Sequence, residues 1–355
     1  MTHRVTLIPG DGIGPEVVDA ARRALEATGV AIHWDVREMG VAAAARGGPP
    51  LPDDTLGSIL DSGVALKGPV ETPASSELRS VNVALRQALD LYACVRPCRL
   101  YPGVPSVYDA VDLVVIRENT EGMYTGIEFE MGAPQTKELI RFIEEAGGPR
   151  IREDSGVSIK TISVGGSERI VRFAFDHAKA HGRSKVTAGH KANIMKVSDG
   201  LFLEVARRIA EQEYPGLGFE DRIIDALCLM LIQAPERFDV LVLPNLYGDI
   251  VSEVGAGLIG GVGVAPGAHF GDGVAVFEAT HGTAPRHAGA DRANPMGLML
   301  SGAMLLRHIG EKGAGDRLEE AVASTVAAGE VTADLAGDRP ALGTRAFAER
   351  VIARL

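Results

Sequence analysis

The chain has 355 residues, 46% of them hydrophobic and 23% charged, with a formal net charge of −11. That length buries a sizeable core and fits two domains better than one. An acidic chain without a basic block excludes sequence-independent nucleic-acid binding, but leaves room for an anionic substrate held by a local cluster of Arg and Lys.

In chain order, Arg4 to Ile8 reads as a strand, Pro9 to Pro15 as a glycine turn, and Glu16 to Thr28 as a helix. Gly10, Gly12 and Gly14 resemble a dinucleotide fingerprint, but Pro15 stands where its third glycine belongs. A tight turn with Pro15 in the first helical turn fits better. Val64 to Lys67 is a second strand. Ser80, Asn82 and Arg86 then run into a helix predicted over 83–91, closely followed by Arg96. Val111 to Ile116 is a strand that delivers Arg117 and leads to Tyr124. Each arginine alone reads as a surface pair. Three at the ends of apolar elements point to a carboxylate or phosphate pocket, because a guanidinium meets a carboxylate bidentately.

Glu130 to Ile159 is polar, with one helical patch over Thr136–Glu145, and reads as a protruding arm. Ser167 to Ala180 is helical, Lys185 to Ala188 a short strand leading to Lys191, and Ser198 to Gln212 a helix. Lys191 lies just past a strand, where α/β folds place functional groups. Asp225 opens a helix over 226–233, either as its cap or as a functional carboxylate.

Val240 to Leu243 is a buried strand, Asn245 to Gly248 a turn, and a helix opens near Asp249. Asp249 and Glu253 then share a helix face, a pattern that serves a divalent cation but equally a cap and a surface charge. Gly255 to Gly273 holds eight glycines in nineteen residues and reads as tight turns between short buried elements. Val274 to Glu278 is a strand, His281 to His287 a loop, and helices follow over 295–306, 311–328 and 347–355. Strands alternating with helices argue for an α/β fold. Cys94, Cys98 and Cys228 form no disulfide framework, and a lone Cys94/Cys98 pair is weak evidence for zinc. With no leader-like or membrane-length apolar run, we expect a soluble cytoplasmic protein.

Taken together, Gly10 to Glu16, Ser80 to Arg86, Arg117 to Tyr124, His190 to Lys196, Asn245 to Asp249 and Glu278 to Pro285 resemble the decarboxylating β-hydroxyacid dehydrogenases, the isocitrate and isopropylmalate dehydrogenases. The resemblance implies a fold other than the typical Rossmann fold, with two domains around a central cleft. Residues 1–93 and 252–355 would form the large domain and 94–251 the small one, with a clasp-like dimerisation arm at about 130–160. It implies an active homodimer with shared sites and no membrane or nucleic-acid partner.

By position, Ser80, Asn82, Arg86, Arg96 and Arg117 match contacts to the substrate carboxylates, Tyr124 the general acid, and Lys191 a catalytic lysine lent by the partner subunit. Asp225, also lent, and Asp249 match ligands of Mg²⁺ or Mn²⁺. Glu253 replaces the usual Asp and is expected as a third, less direct metal partner. Thr72, Glu278, His281, Gly282, Thr283, Ala284, Pro285, Arg286, His287 and Asn294 match the cofactor region. The polar Ser80 and Asn82 point to isocitrate, with homoisocitrate, isopropylmalate, tartrate or a phosphonate analogue as alternatives. Arg286 points to NADP, through its fit to a 2′-phosphate. Ala293, Ala333 and Gly337 point to NAD. Tyr124, Lys191, Asp225 and Asp249 argue against a non-catalytic regulatory subunit.

Overall fold

The computed structural model describes residues 2–74 and 80–355. Its strands are β1 (His3–Ile8), β2 (Ile32–Val36), β3 (Val64–Lys67), β4 (Ala93–Arg99), β5 (Asp112–Glu118), β6 (Glu128–Phe129), β7 (Val157–Ser158), β8 (Lys185–His190), β9 (Gly218–Ile223), β10 (Val240–Leu243), β11 (Ala268–Gly271) and β12 (Val274–Glu278). Ten of them form one sheet in the order β2-β1-β3-β12-β11-β4-β5-β10-β8-β9. One half of that order comes from the two chain ends and the other from residues between 93 and 243. The halves meet where β11 pairs antiparallel with β4. Strands β4 and β5, and β11 and β12, are also antiparallel, while the outer strands run parallel and are covered by helices.

The first strand feeds a helix at Gly14–Ala27 with proline in its first turn, as the turn chemistry predicts. The turn before it is built for contact, not for phosphate. Asp11 accepts the backbone N–H groups of Val41, Ala42 and Glu71 at 2.8–3.0 Å. Ile13 donates its N–H to the Thr283 carbonyl at 2.9 Å. A side chain at Gly12, which has φ +60°, would strike that same carbonyl. The glycines therefore let the 281–287 loop lie directly on the first turn of the chain.

The helix after β10 differs from the sequence expectation. It spans Asn245–Leu258, starting directly after Pro244, so residues 245–248 are helical and Asp249 is no cap. Gly248 reads in the sequence as the end of a turn. Instead it is a packing residue: an added Cβ would lie 2.5 Å from Arg117 Cβ and Cγ. The glycine lets the helix rest on the base of the Arg117 side chain. The helix before Arg86 likewise begins early, at Val81–Ala88. The polar arm holds the Pro134–Glu145 helix and the separate β6–β7 ladder.

Gly248→Ala tests this packing. The overlap outweighs the roughly 1 kcal/mol that alanine gains over glycine in a helix interior. A net loss of about 1–2 kcal/mol is expected, read as a lower urea midpoint with an unchanged slope.

Candidate active site

Two charged clusters lie along the carboxyl ends of the central strands. The first is organised by Asp249. On β5, Arg117 is 2% exposed, and its Nε and Nη2 donate to Asn245 Oδ1 at 3.0 and 2.7 Å. Its Nη1 donates to Asp249 Oδ1. Asn245 Nδ2 donates to the Glu121 carbonyl at 2.9 Å, tying the helix start to the segment after β5. That segment makes a short 3-10 turn over Gly122–Thr125, which places Tyr124 with its hydroxyl donating to Asp249 Oδ2. The Arg117 guanidinium lies 4.8 Å from the centre of the Tyr124 ring. Burial, reinforced by the Asp249 carboxylate, pushes the Tyr124 phenol above its ordinary range. Glu253 sits one turn after Asp249 and is exposed. Partial burial, with Asp249 adding to it against the pull of Arg96, raises its carboxyl.

The second cluster surrounds Glu278 at the end of β12. Strand register sets Glu278 opposite Lys67 on β3, and the two form an ion pair with Lys67 only 1% exposed. His269 Nε2 lies 2.6 Å from the other Glu278 oxygen. His269 Nδ1 faces the Asn119 amide nitrogen at 3.1 Å, which assigns the ring proton to Nε2 as donor to Glu278. Arg86 and Arg96 approach Glu278 at 3.8 and 3.7 Å, and Arg96 also donates to Thr280 Oγ1 at 3.0 Å. Burial alone would raise the Glu278 carboxyl, but Lys67, His269 and Arg96 outweigh it and hold it well below the usual range. Cys94 is paired in register with both His269 and Arg117. Burial acts to raise its thiol, yet Arg96, His269 and Arg117 bring it down to about 5.

On the helix that carries Arg86, Val81–Ala88, Ser80 is the cap and accepts the Val83 N–H at 3.3 Å. The hydroxyl proton stays available for another acceptor. Thr72 accepts the Val81 N–H at 3.0 Å, so it supports the same helix start. Asn82 Oδ1 is buried without a hydrogen-bond partner.

The 281–287 loop carries a second atom without a partner among the described residues, His281 Nε2. Burial lowers the His281 imidazole. Gly282 and Thr283 continue the loop, Ala284 takes a left-handed conformation at φ +37°, and Pro285, Arg286 and His287 form a short exposed turn. Arg286 makes no hydrogen bond or ion pair with any described residue. Asn294 donates to Asp334 Oδ2 at 2.9 Å and accepts the Met296 N–H at 3.0 Å.

Lys191 and Asp225 stand apart from both clusters. They pair with each other, Lys191 Nζ donating to Asp225 Oδ1, and with neither Asp249 nor Tyr124. Among the described residues no three His, Cys, Asp or Glu side chains of one chain gather into a metal cage. Sequence reading missed Asn245, Lys67, His269, Asn119 and Thr280. Lys67 carried a signal, a lysine ending an otherwise apolar strand. The other four depend on long-range pairing that one sequence does not display.

The match to known proteins is extensive. The family model for isocitrate/isopropylmalate dehydrogenase aligns with residues 4–351. The chain belongs to this family. It is 44% identical to isocitrate dehydrogenase (NAD) catalytic subunit 5, mitochondrial, of Arabidopsis thaliana, over 94% of this chain and 84% of the relative. It is 42% identical to the isocitrate dehydrogenase (NADP) of Archaeoglobus fulgidus, over 98% and 91%. It is also similar to the crystal structure of isocitrate dehydrogenase from Methylococcus capsulatus, with a TM-score of 0.90, 48% identity and 99% coverage of both chains. The protein is thus a decarboxylating dehydrogenase fold with a site for a nicotinamide cofactor.

Lys67→Met removes the nearest cation from a buried carboxylate. A loss of about 3 kcal/mol is expected at pH 7. The sign follows from Glu278. Its depressed pKa contributes stability above the ordinary value of 4.5, which disappears as pH falls through the folded-state pKa. Raising that pKa by mutation shrinks the contribution. The gap between wild type and variant should therefore narrow below about pH 4.5, as read by urea titrations at pH 7 and pH 3.5.

Proposed function

We propose that this protein oxidatively decarboxylates isocitrate to 2-oxoglutarate, with NADP as hydride acceptor and Mg²⁺ or Mn²⁺ at Asp249. The observation that carries the substrate choice is the polar lip of the arginine cluster. Among the described residues, the Ser80 O–H has no acceptor and the buried Asn82 amide oxygen has no partner. An isopropyl group there would leave Asn82 unpaired, which costs roughly 1–3 kcal/mol. With the amide turned so that its NH2 faces the substrate, a third carboxylate arm accepts a hydrogen bond from Asn82. Arg86, Arg96 and Arg117 supply charge for the remaining carboxylates. They are fixed before substrate arrives, so little ordering cost falls on binding.

The proposed chemistry divides among the chain's own residues. Lys191 removes the C2 hydroxyl proton as hydride leaves to the nicotinamide. Tyr124, whose phenol remains protonated, returns a proton to the enol carbon after CO₂ departs. Asp249, with 38% of its side chain exposed, retains lone pairs beyond those engaged by Arg117 and Tyr124. With the exposed Asp225 and Glu253 it offers the all-oxygen donor set of a hard divalent cation. When bound, that cation would act as a Lewis acid toward the keto acid.

The same proposal includes a homodimer. Ile194, Val197, Leu229, Ile232 and Ile250 are 51–86% exposed and lie within four residues of Lys191, Asp225 or Asp249, or just beyond. An apolar surface of that kind marks a subunit contact. A twofold interface would then bring Lys191 and Asp225 of one subunit to Asp249 of the other. The two-domain division at residues 93/94 and 251/252 is part of the same proposal, as is the arm as a dimer clasp. NADP rests on Arg286, an exposed guanidinium with no protein partner at the cofactor loop.

A spectrophotometric screen tests the reading: isocitrate, homoisocitrate, isopropylmalate and tartrate, each with NAD and NADP, with and without Mn²⁺. Isocitrate with NADP and Mn²⁺ should give the highest kcat/KM, abolished by a chelator. Turnover confined to another acid overturns the substrate assignment. Tyr124→Phe should lower kcat on the order of 10²–10⁴-fold. Arg286→Asp should reduce the NADP-to-NAD preference by about tenfold or more, a loss of at least about 1.4 kcal/mol. An unchanged ratio would remove Arg286 from phosphate recognition.

A further inference from the structure

The chain buries a third charged cluster that the chemistry above does not use. Asp199 lies in the first turn of the Ser198–Glu213 helix and is 0% exposed. Its carboxylate does not cap that helix. Oδ2 accepts the backbone N–H of Lys191 at 2.8 Å, eight residues back. Oδ1 accepts from the Lys160 ammonium. Lys160 in turn stands 4.6 Å from the centre of the Tyr247 ring and 3.7 Å from Met195 Sδ. Burial, with the Asp199 carboxylate beside it, raises the Tyr247 phenol.

Lys191 is thereby fixed at both backbone ends. Its carbonyl accepts the N–H groups of Ile194 and Met195 at 3.0 and 2.9 Å, and the Met195 carbonyl accepts Asp199 N–H at 3.0 Å. The residue before it, His190, is held by its own pairings, Nδ1 accepting Ala192 N–H at 3.0 Å and Nε2 facing Asp221 at 3.2 Å. Only the Lys191 side chain projects from this frame, toward Asp225.

We propose that Asp199 is a positioning residue, orienting Lys191 through its backbone N–H, and that Lys160 locks Asp199 against Tyr247 on the Asn245–Leu258 helix. The lysine loop and the helix carrying Asp249 are then parts of one rigid joint. This rests on the reading of Lys191 as the proton acceptor. A buried acid–base pair is a poor source of stability, since apolar replacements of similar volume are often neutral or better. Its physical use here is geometry. A catalytic group misplaced by about 1 Å can lose on the order of 100-fold in rate.

The test compares wild type with Asp199→Asn and with the double variant Lys160→Met/Asp199→Asn. The double variant leaves no uncompensated buried charge. Each is assayed as the full chain on the wild type's best substrate, alongside Lys191→Ala. In the double variant kcat should fall on the order of 10–100-fold, with KM for acid and coenzyme within about threefold of wild type. Amide exchange over Lys191–Met195 should quicken about tenfold. A folded double variant with near-wild-type kcat and unchanged exchange overturns the proposal. Failure of both variants to fold overturns it too, because the cluster is then structural. If Lys191→Ala retains turnover, the assignment of Lys191 fails, whereas the exchange measurement still decides whether Asp199 holds the loop.

Discussion

A carboxylate buried among cations is the constraint on which the rest of this site depends. Glu278 faces Lys67, His269, Arg86 and Arg96 from a position almost closed to solvent. Without it, three positive groups, Lys67, Arg86 and Arg96, would crowd a low-dielectric wall and repel one another. With it, the wall carries a moderated positive charge, suited to an anion that arrives and leaves. Strand pairing enforces the arrangement. Glu278 and Lys67 are register partners, and His269 reaches Glu278 from the antiparallel neighbour β11. The sheet is thus more than a scaffold, because its register sets the electrostatics of the cleft.

Asp249 plays the corresponding part on the other side. It is engaged by Arg117 from strand β5 and by Tyr124 from the short turn that follows it, and Asn245 binds Arg117 one helical turn earlier. Gly248 makes this possible by letting the helix backbone approach β5. One small residue therefore decides how closely an acid, a guanidinium and a phenol come together. The same logic appears at Gly12, where the lack of a side chain lets Thr283 lie on the first turn of the chain.

Much of this was legible in the sequence. The strands carrying Lys67, Arg117 and Glu278 announced themselves as short apolar runs, and the arginines at their ends were visible as a set. The acidic pair Asp249 and Glu253 had the right spacing, and the full-length resemblance selected the functional reading over a helix cap. What was not legible was set by tertiary contacts. The helix start at Asn245 was obscured by Gly248, whose local propensity says turn while its packing says helix. The antiparallel pairing of β11 with β4 lies within a glycine-rich stretch that shows no strand period. The partners of Glu278 come from positions 67, 86, 96 and 269, and no local pattern joins them.

The separation of Lys191 and Asp225 from Asp249 carries the last step. Lys191 and Asp225, which the proposal assigns to one reaction centre, are paired with each other in one chain and away from the arginines. On the proposed dimeric reading, this pairing keeps both side chains ordered until a neighbouring subunit offers Asp249. The ion pair is mostly exposed on its acid side, so it is weak and readily exchanged. The Asp199–Lys160 pair behind it is mostly buried, with Asp199 closed to solvent and the Lys160 side chain 16% exposed, and is not. Contrasting burial thus separates two jobs within ten residues: a surface ion pair that can be traded for ligand contacts, and a buried one that keeps the backbone in place while the trade occurs.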